Sequence, residues 1–137
     1  GTPGGPAKDT TAPRLSKLTA KPAVATRARG KRKAKAATLR FSLSEAATVT
    51  FTGEQVLAGR TSGKRCVAGR KTGKACITYK KLGGSLRVNG KAGSGTASFA
   101  AKLGTKKLGA GRYRLTAVAI DAAGNRSAPV TIVVTVR

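Results

Sequence analysis

The sequence predicts an all-β fold, an antiparallel β-sandwich of seven to eight short strands. Apolar residues recur with period two in many short segments. No stretch sustains a helical period. Gly-, Asn- and Asp-containing turn signals separate the alternating segments at short intervals. The apolar set is mostly Ala, Val and Leu, with Phe41, Phe51 and Phe99 the largest pieces, which suits a thin core between two β-layers. The 137 residues are the size of one domain with a little left over.

Residues 1–13, GTPGGPAKDTTAP, are rich in Gly, Pro and Thr and read as a flexible N-terminal arm. A single domain over 14–137 follows. Leu18, Ala20, Pro22 and Val24 alternate with Thr19, Lys21 and Ala23, a weak strand signal that Pro22 places at a sheet edge. RARGKRKAK (27–35) holds six positive charges and no negative one and is expected to be a solvated loop. ATLRFSLS (37–44) puts Leu39, Phe41 and Leu43 on one face, and ATVTFTGEQV (47–56) turns Val49 and Phe51 inward. The short Ser-Glu-Ala step between them predicts an antiparallel hairpin. CITYKK (76–81) is a further strand with Ile77 and Tyr79 in phase, and SLRVNG (85–90) a short one. TASFAAKL (96–103) places Ala97, Phe99 and Ala101 on one face. GRYRLTAVAIDAAGN (111–125) is the strongest strand with its turn, and PVTIVVTV (129–136) closes the sheet.

Charge and missing residue types narrow the function. Lys and Arg number 28 against four Asp and Glu, a formal net charge of +24, and His, Met and Trp are absent. A Ser-His-Asp triad and a His-ligated metal site are therefore impossible. Glu45 and Glu54 are conceivable as paired carboxylates, but surrounding cations hold both ionised, which spoils a general acid. A calcium cage from Asp9, Glu45, Glu54 and Asp121 is disfavoured by the same field. Asn89 and Asn125 both read as turn residues rather than partners in a Lys–Asn isopeptide bond, and Asn125-Arg126-Ser127 is only a formal glycosylation sequon. The expectation is a protein that is not an enzyme, without cofactor, metal or small-molecule substrate.

A net charge of +24 attracts polyanions, whether nucleic acid, anionic cell-wall polymer or acidic polysaccharide; it also simply solubilises. The anionic-partner patch is expected at Arg27, Arg29, Lys31, Arg32, Lys33 and Lys35, and at Lys64, Arg65, Arg70, Lys71 and Lys74. Base-specific nucleic-acid reading is not expected: few aromatics are free to stack, and no helix is available for a groove.

Cys66 and Cys76 flank VAGRKTGKA, a composition that fits a hairpin tip. Two cysteines without His make a poor metal site, and the spacing is not that of a C-x-x-C redox pair. A disulfide stapling the hairpin is expected, against the alternative of two free thiols. The disulfide implies an oxidising, secreted or cell-surface location. The chain opens on Gly1 rather than Met and reads as processed, with a secretion signal removed. Its longest apolar runs fall far short of the ~20 residues that span a bilayer, so no membrane insertion is expected.

DTTAP (9–13) resembles the opening segment of bacterial immunoglobulin-like and fibronectin type III-like domains. LGAGRYRLTAVAIDAAGNRSAPVTIVVTV (108–136) resembles their last two strands, with Gly before Tyr, an alternating strand, Asp-x-x-Gly-Asn and the closing strand. The basic, Cys-containing hairpin looks like domains of secreted actinobacterial surface proteins. The resemblance implies an immunoglobulin-like sandwich with the disulfide hairpin inserted, serving as a spacer, adhesion module or binding appendage. Tyr113 then matches a tyrosine corner, whose hydroxyl bonds backbone upstream. Asp121 caps the following turn, and Gly124 or Asn125 takes the positive φ that the turn needs.

Two functions are expected from this reading. In the first, a non-catalytic extracellular structural protein self-assembles head-to-tail into fibres. The arm segment bearing Leu15, Leu18, Ala20, Pro22 and Val24 is then inserted as a strand into a neighbour. In the second, a monomeric adhesion or spacer module binds anionic polymers through its basic surface.

Overall fold

The structure, a computed structural model, describes residues 11–137; the first ten residues of the arm, Asp9 among them, lie outside the described residues. None of the described residues is helical. The chain forms β1 (Leu15–Lys21), β2 (Val24–Ala25), β3 (Ala37–Leu43), β4 (Ala47–Ser62), β5 (Arg65–Ala68), β6 (Ala75–Lys81), β7 (Leu86–Gly90), β8 (Gly93–Phe99), β9 (Lys102–Leu103), β10 (Lys106–Lys107), β11 (Gly111–Ile120) and β12 (Val130–Val136). One large sheet runs β1-β3-β8 and the other β2-β12-β11-β4-β5, with β6 and β7 also paired to β4, and β9 and β10 form a separate two-stranded ladder. Every pairing is antiparallel except β2 with β12. The strands outnumber the expected seven or eight because β2, β9 and β10 are two-residue pairings and because β5 is an added strand. The expected hairpin between Cys66 and Cys76 does not form: β5 and β6 pair with opposite edges of β4, and the disulfide joins them across Gly59.

The alternation is the reason the core forms. Leu39, Phe41 and Leu43 of β3 and Ala97 and Phe99 of β8 are buried on one wall. Val49 and Phe51 of β4, Tyr113, Leu115, Ala117 and Ala119 of β11, and Val134 and Val136 of β12 are buried on the other. The two walls form a single core. Each fully buried Leu or Phe contributes about 1.5–3 kcal/mol.

The expected hairpin between 37–44 and 47–56 does not form. β3 and β4 lie in different sheets, and the Ser-Glu-Ala step carries the chain from one wall to the other. The physical reason is the apolar faces: each strand has a fully apolar inner face, and placing them opposite one another lets Phe41 meet Phe51, ring centroids 6.3 Å apart. Residues 96–103 also differ from expectation. The strand spans Gly93–Phe99, and buried Ala101 sits in a turn at φ 59°.

The segment expected to leave for a neighbour pairs within its own chain. β1 is the edge strand beside β3, with Leu15 opposite Leu43 and Ala20 opposite Leu39. A bulge between Ser16 and Thr19, with Lys17 at φ 56°, resets the phase. Leu15 is buried and Leu18 packs on the core although they are three residues apart. The Lys21–Pro22 bond is cis, and there the chain leaves one sheet for the other. The even-numbered alternation stops at Pro22: in β2 it is Ala25, not Val24, that is fully buried. Pro13, the last residue of the expected arm, is buried, and Arg14 exchanges hydrogen bonds with Ser44.

Candidate anion-binding surface

Strand register decides where the basic segments go. Gly111 at the start of β11 lies opposite Val136 at the end of β12, and Arg112 opposite Val56. Ala25 at the end of β2 lies beside Val136, and Ala37 at the start of β3 lies opposite Phe99 at the end of β8. The 26–36 connection, the continuation of β4 beyond Val56 and the 100–110 connection therefore leave from the same end of the molecule. Six Lys and Arg lie in 27–35, six in 60–74 and three in 100–110, with no Asp or Glu in any of them. The opposite end carries the connections at 44–46, 91–92 and 121–129, where, among the described residues, Glu45 and Asp121 stand with Arg14, Lys91 and Arg126. Charge is thus distributed unevenly along the molecule: 15 of the 28 Lys and Arg lie in the three segments that leave from one end.

The expected patch residues are found there. Arg29 and Arg32 bridge across a tight turn with Gly30 at φ 57°, and Thr26 bridges Lys35. Arg29, Lys31, Arg32, Lys33 and Lys35 are exposed. Arg27 is half-buried and donates from Nε to the Arg137 carbonyl at 3.3 Å.

The second basic stretch is a projecting finger. β4 continues to Ser62, flanked by β5 at Gly59–Ser62 and by β6 at Glu54–Arg60. Cys66 and Cys76 form a disulfide, their Cα atoms 6.0 Å apart. Gly59 makes this closure sterically feasible: a Cβ there would lie 2.4 Å from the Val67 carbonyl oxygen and 3.1 Å from the Cys66 sulfur. Lys64, Arg65, Arg70, Lys71 and Lys74 are all exposed around this staple. Arg70 bonds the Thr72 carbonyl and Arg60 the Gly73 carbonyl, which fixes two guanidinium groups against the tip.

Ile77 and Tyr79 are in phase, as expected, but they face outward. Arg114 of β11 lies 3.6 Å above the Tyr79 ring centroid and donates to Glu54 at 2.6 Å. Hydrogen bonding to Glu54 raises the Arg114 pKa further above its ordinary value. Glu54 is therefore committed to an ion pair at the sheet surface. Sequence reasoning missed this trio, and it missed Lys102, Lys106 and Lys107 as members of the basic end. Strand direction was the available signal, since reversals of the chain assign each connection to an end.

The residues expected to have structural roles take them. The Tyr113 hydroxyl donates to the Gly109 carbonyl at 2.8 Å. Burial pushes the Tyr113 pKa up, while the Arg27 cation pulls it down. Asp121 accepts from the Ala123 and Asn125 amides at 3.0 and 2.8 Å and from the Asn125 side chain at 3.0 Å. Gly124, not Asn125, takes the positive φ, at 89°. Asn89, expected in a turn, lies instead in β7, where Thr48 bonds its side chain.

No helix among the described residues is long and apolar enough to cross a membrane. In comparisons with known proteins, no family model matches the chain, and no curated protein or solved structure matches it.

Proposed function

We propose that this chain is a non-catalytic extracellular module, an immunoglobulin-like sandwich that grips anionic polymers with one end. The observation that carries this reading is the delivery of three separate basic segments to the same end, with Glu45 and Asp121 at the other. A charge spread evenly would serve solubility as well; a segregated one concentrates the field where a polyanion can meet it. The disulfide supports an oxidising location. The cations are mostly exposed and mounted on turns, which suits contact with a backbone of repeated charges rather than recognition of a sequence.

Binding of polyphosphate, a sulfated polysaccharide and random-sequence duplex DNA, titrated against salt, tests the reading. All three bind, and affinity falls steeply as salt rises. Absence of binding at about 0.15 M salt, or affinity indifferent to salt, overturns it.

The edge positions of β1 and β2 favour a second reading, head-to-tail strand exchange into fibres. Exchange would have to replace contacts that residues 15–25 make within their own chain. Native mass at about 0.5 M salt, where charge attraction is screened, separates the two: 13.9 kDa for the monomeric module, a large polydisperse mass for fibres.

A further inference from the structure

The geometry points to a discrete oxyanion subsite within the basic end, a groove between the 26–36 and 100–110 connections. This inference rests on the polyanion-binding reading above and names where one charged group of the polymer seats. The groove encloses about 390 Å³ and has Arg27, Lys102 and Lys107 on its walls. None of the described residues that line it is Asp or Glu. Its floor includes Ala28, Ala101 and Leu108, short or buried side chains that leave room for a ligand.

Three features make this groove differ from the general run of surface lysines. Lys102 and Lys107 are directly opposed in the β9–β10 ladder, a placement of like charges that costs stability unless an anion lies between or beside them. Arg27, the third cation, is half-buried and donates from Nε to a main-chain oxygen of Arg137, which orients its guanidinium at the wall. The groove is concave with an apolar floor, and a cleft lined by one sign of charge focuses the field more strongly than a convex tip. The finger, by contrast, presents its cations on a convex turn. The groove's dimensions and charge fit a single phosphate, sulfate or carboxylate carried on a polymer, with three charge-assisted contacts to its oxygens.

The test compares two full-length variants that each remove two cations: Lys102→Gln with Lys107→Gln in the groove, and Lys71→Gln with Lys74→Gln on the finger. Affinity for polyphosphate is measured at about 0.15 M salt, and backbone amide shifts are followed on adding inorganic phosphate, sulfate or acetate. The expected result is a loss of about tenfold or more for the groove variant against about threefold for the finger variant. Saturable shifts at Ala28 and Ala101 are expected in the wild type and absent in the groove variant. Lys102→Arg with Lys107→Arg restores binding. The anion with the tightest saturation identifies the polymer's charged group. Equal losses in the two variants, or shifts spread evenly over the basic segments, overturn the subsite while leaving polyanion binding intact. A wild type that binds no polyphosphate overturns both.

Discussion

The buried Tyr113 ring and its hydroxyl tie the start of β11 to Gly109, so a single side chain fixes part of the 100–110 connection that contributes to the basic end. Tyr113→Phe keeps the ring and removes the bond, at an expected cost of about 1 kcal/mol in urea denaturation. The pH dependence has a definite sign. Burial raises the folded-state pKa of Tyr113, so the folded chain holds that proton to higher pH than the unfolded chain. The stability tied to the protonated phenol is complete below about pH 10 and is lost as pH climbs through the folded-state pKa. The stability difference between wild type and Tyr113→Phe is therefore flat from neutral pH to about pH 9 and shrinks above about pH 10. Asp121 has a comparable role at the opposite end, where its carboxylate gathers two amides and the Asn125 side chain. Asp121→Ala is expected to cost about 2 kcal/mol, read from the same denaturation curves. Both roles were legible in the sequence, because Gly-x-Tyr before an alternating run and Asp-x-x-Gly-Asn after it are local patterns whose partners lie within four residues.

At the scale of elements, the finger is the part the sequence described least well. Its strands lack an inward apolar face: Val67, Ile77 and Tyr79 are all exposed. Pairing to β4 and the disulfide hold it; the cysteine spacing predicted the disulfide, but alternation does not reveal the pairing. Loss of the staple in Cys66→Ser with Cys76→Ser removes the constraint on a short loop, an effect of about 2–3 kcal/mol on the finger. Hydrogen exchange is expected to rise across residues 57–75 while β3 and β11 stay protected; uniform loosening of both sheets would show that the finger belongs to the core. Gly59→Ala is expected to disturb the same residues, because the added methyl meets Val67 backbone. The misread hairpin between β3 and β4 has a similar origin. A three-residue step allows either a hairpin or an arch between sheets, and the choice rests on Phe41 meeting Phe51 across the core, a tertiary contact. The same applies to β1, whose bulge at Lys17 keeps both Leu15 and Leu18 on the core where strict period two would separate them.

At the scale of the whole molecule, net charge was plain from composition, but its distribution was not. Residues 27–35, 60–74 and 100–110 are far apart in the chain, and only strand order and direction bring them to one end. The central claim is that this end, rather than overall charge, binds polyanions. Salt titrations of random-sequence duplex DNA binding test it most directly. They compare wild type with a finger variant (Arg70→Gln, Lys71→Gln) and a far-end variant (Lys91→Gln, Arg126→Gln) of equal net charge. Neutralising the finger is expected to weaken binding and to flatten the logarithmic salt slope by about 1–2, while the far-end variant stays near wild type. Equal weakening and equal slopes in the two variants would contradict it, because binding would then follow total charge and not its placement.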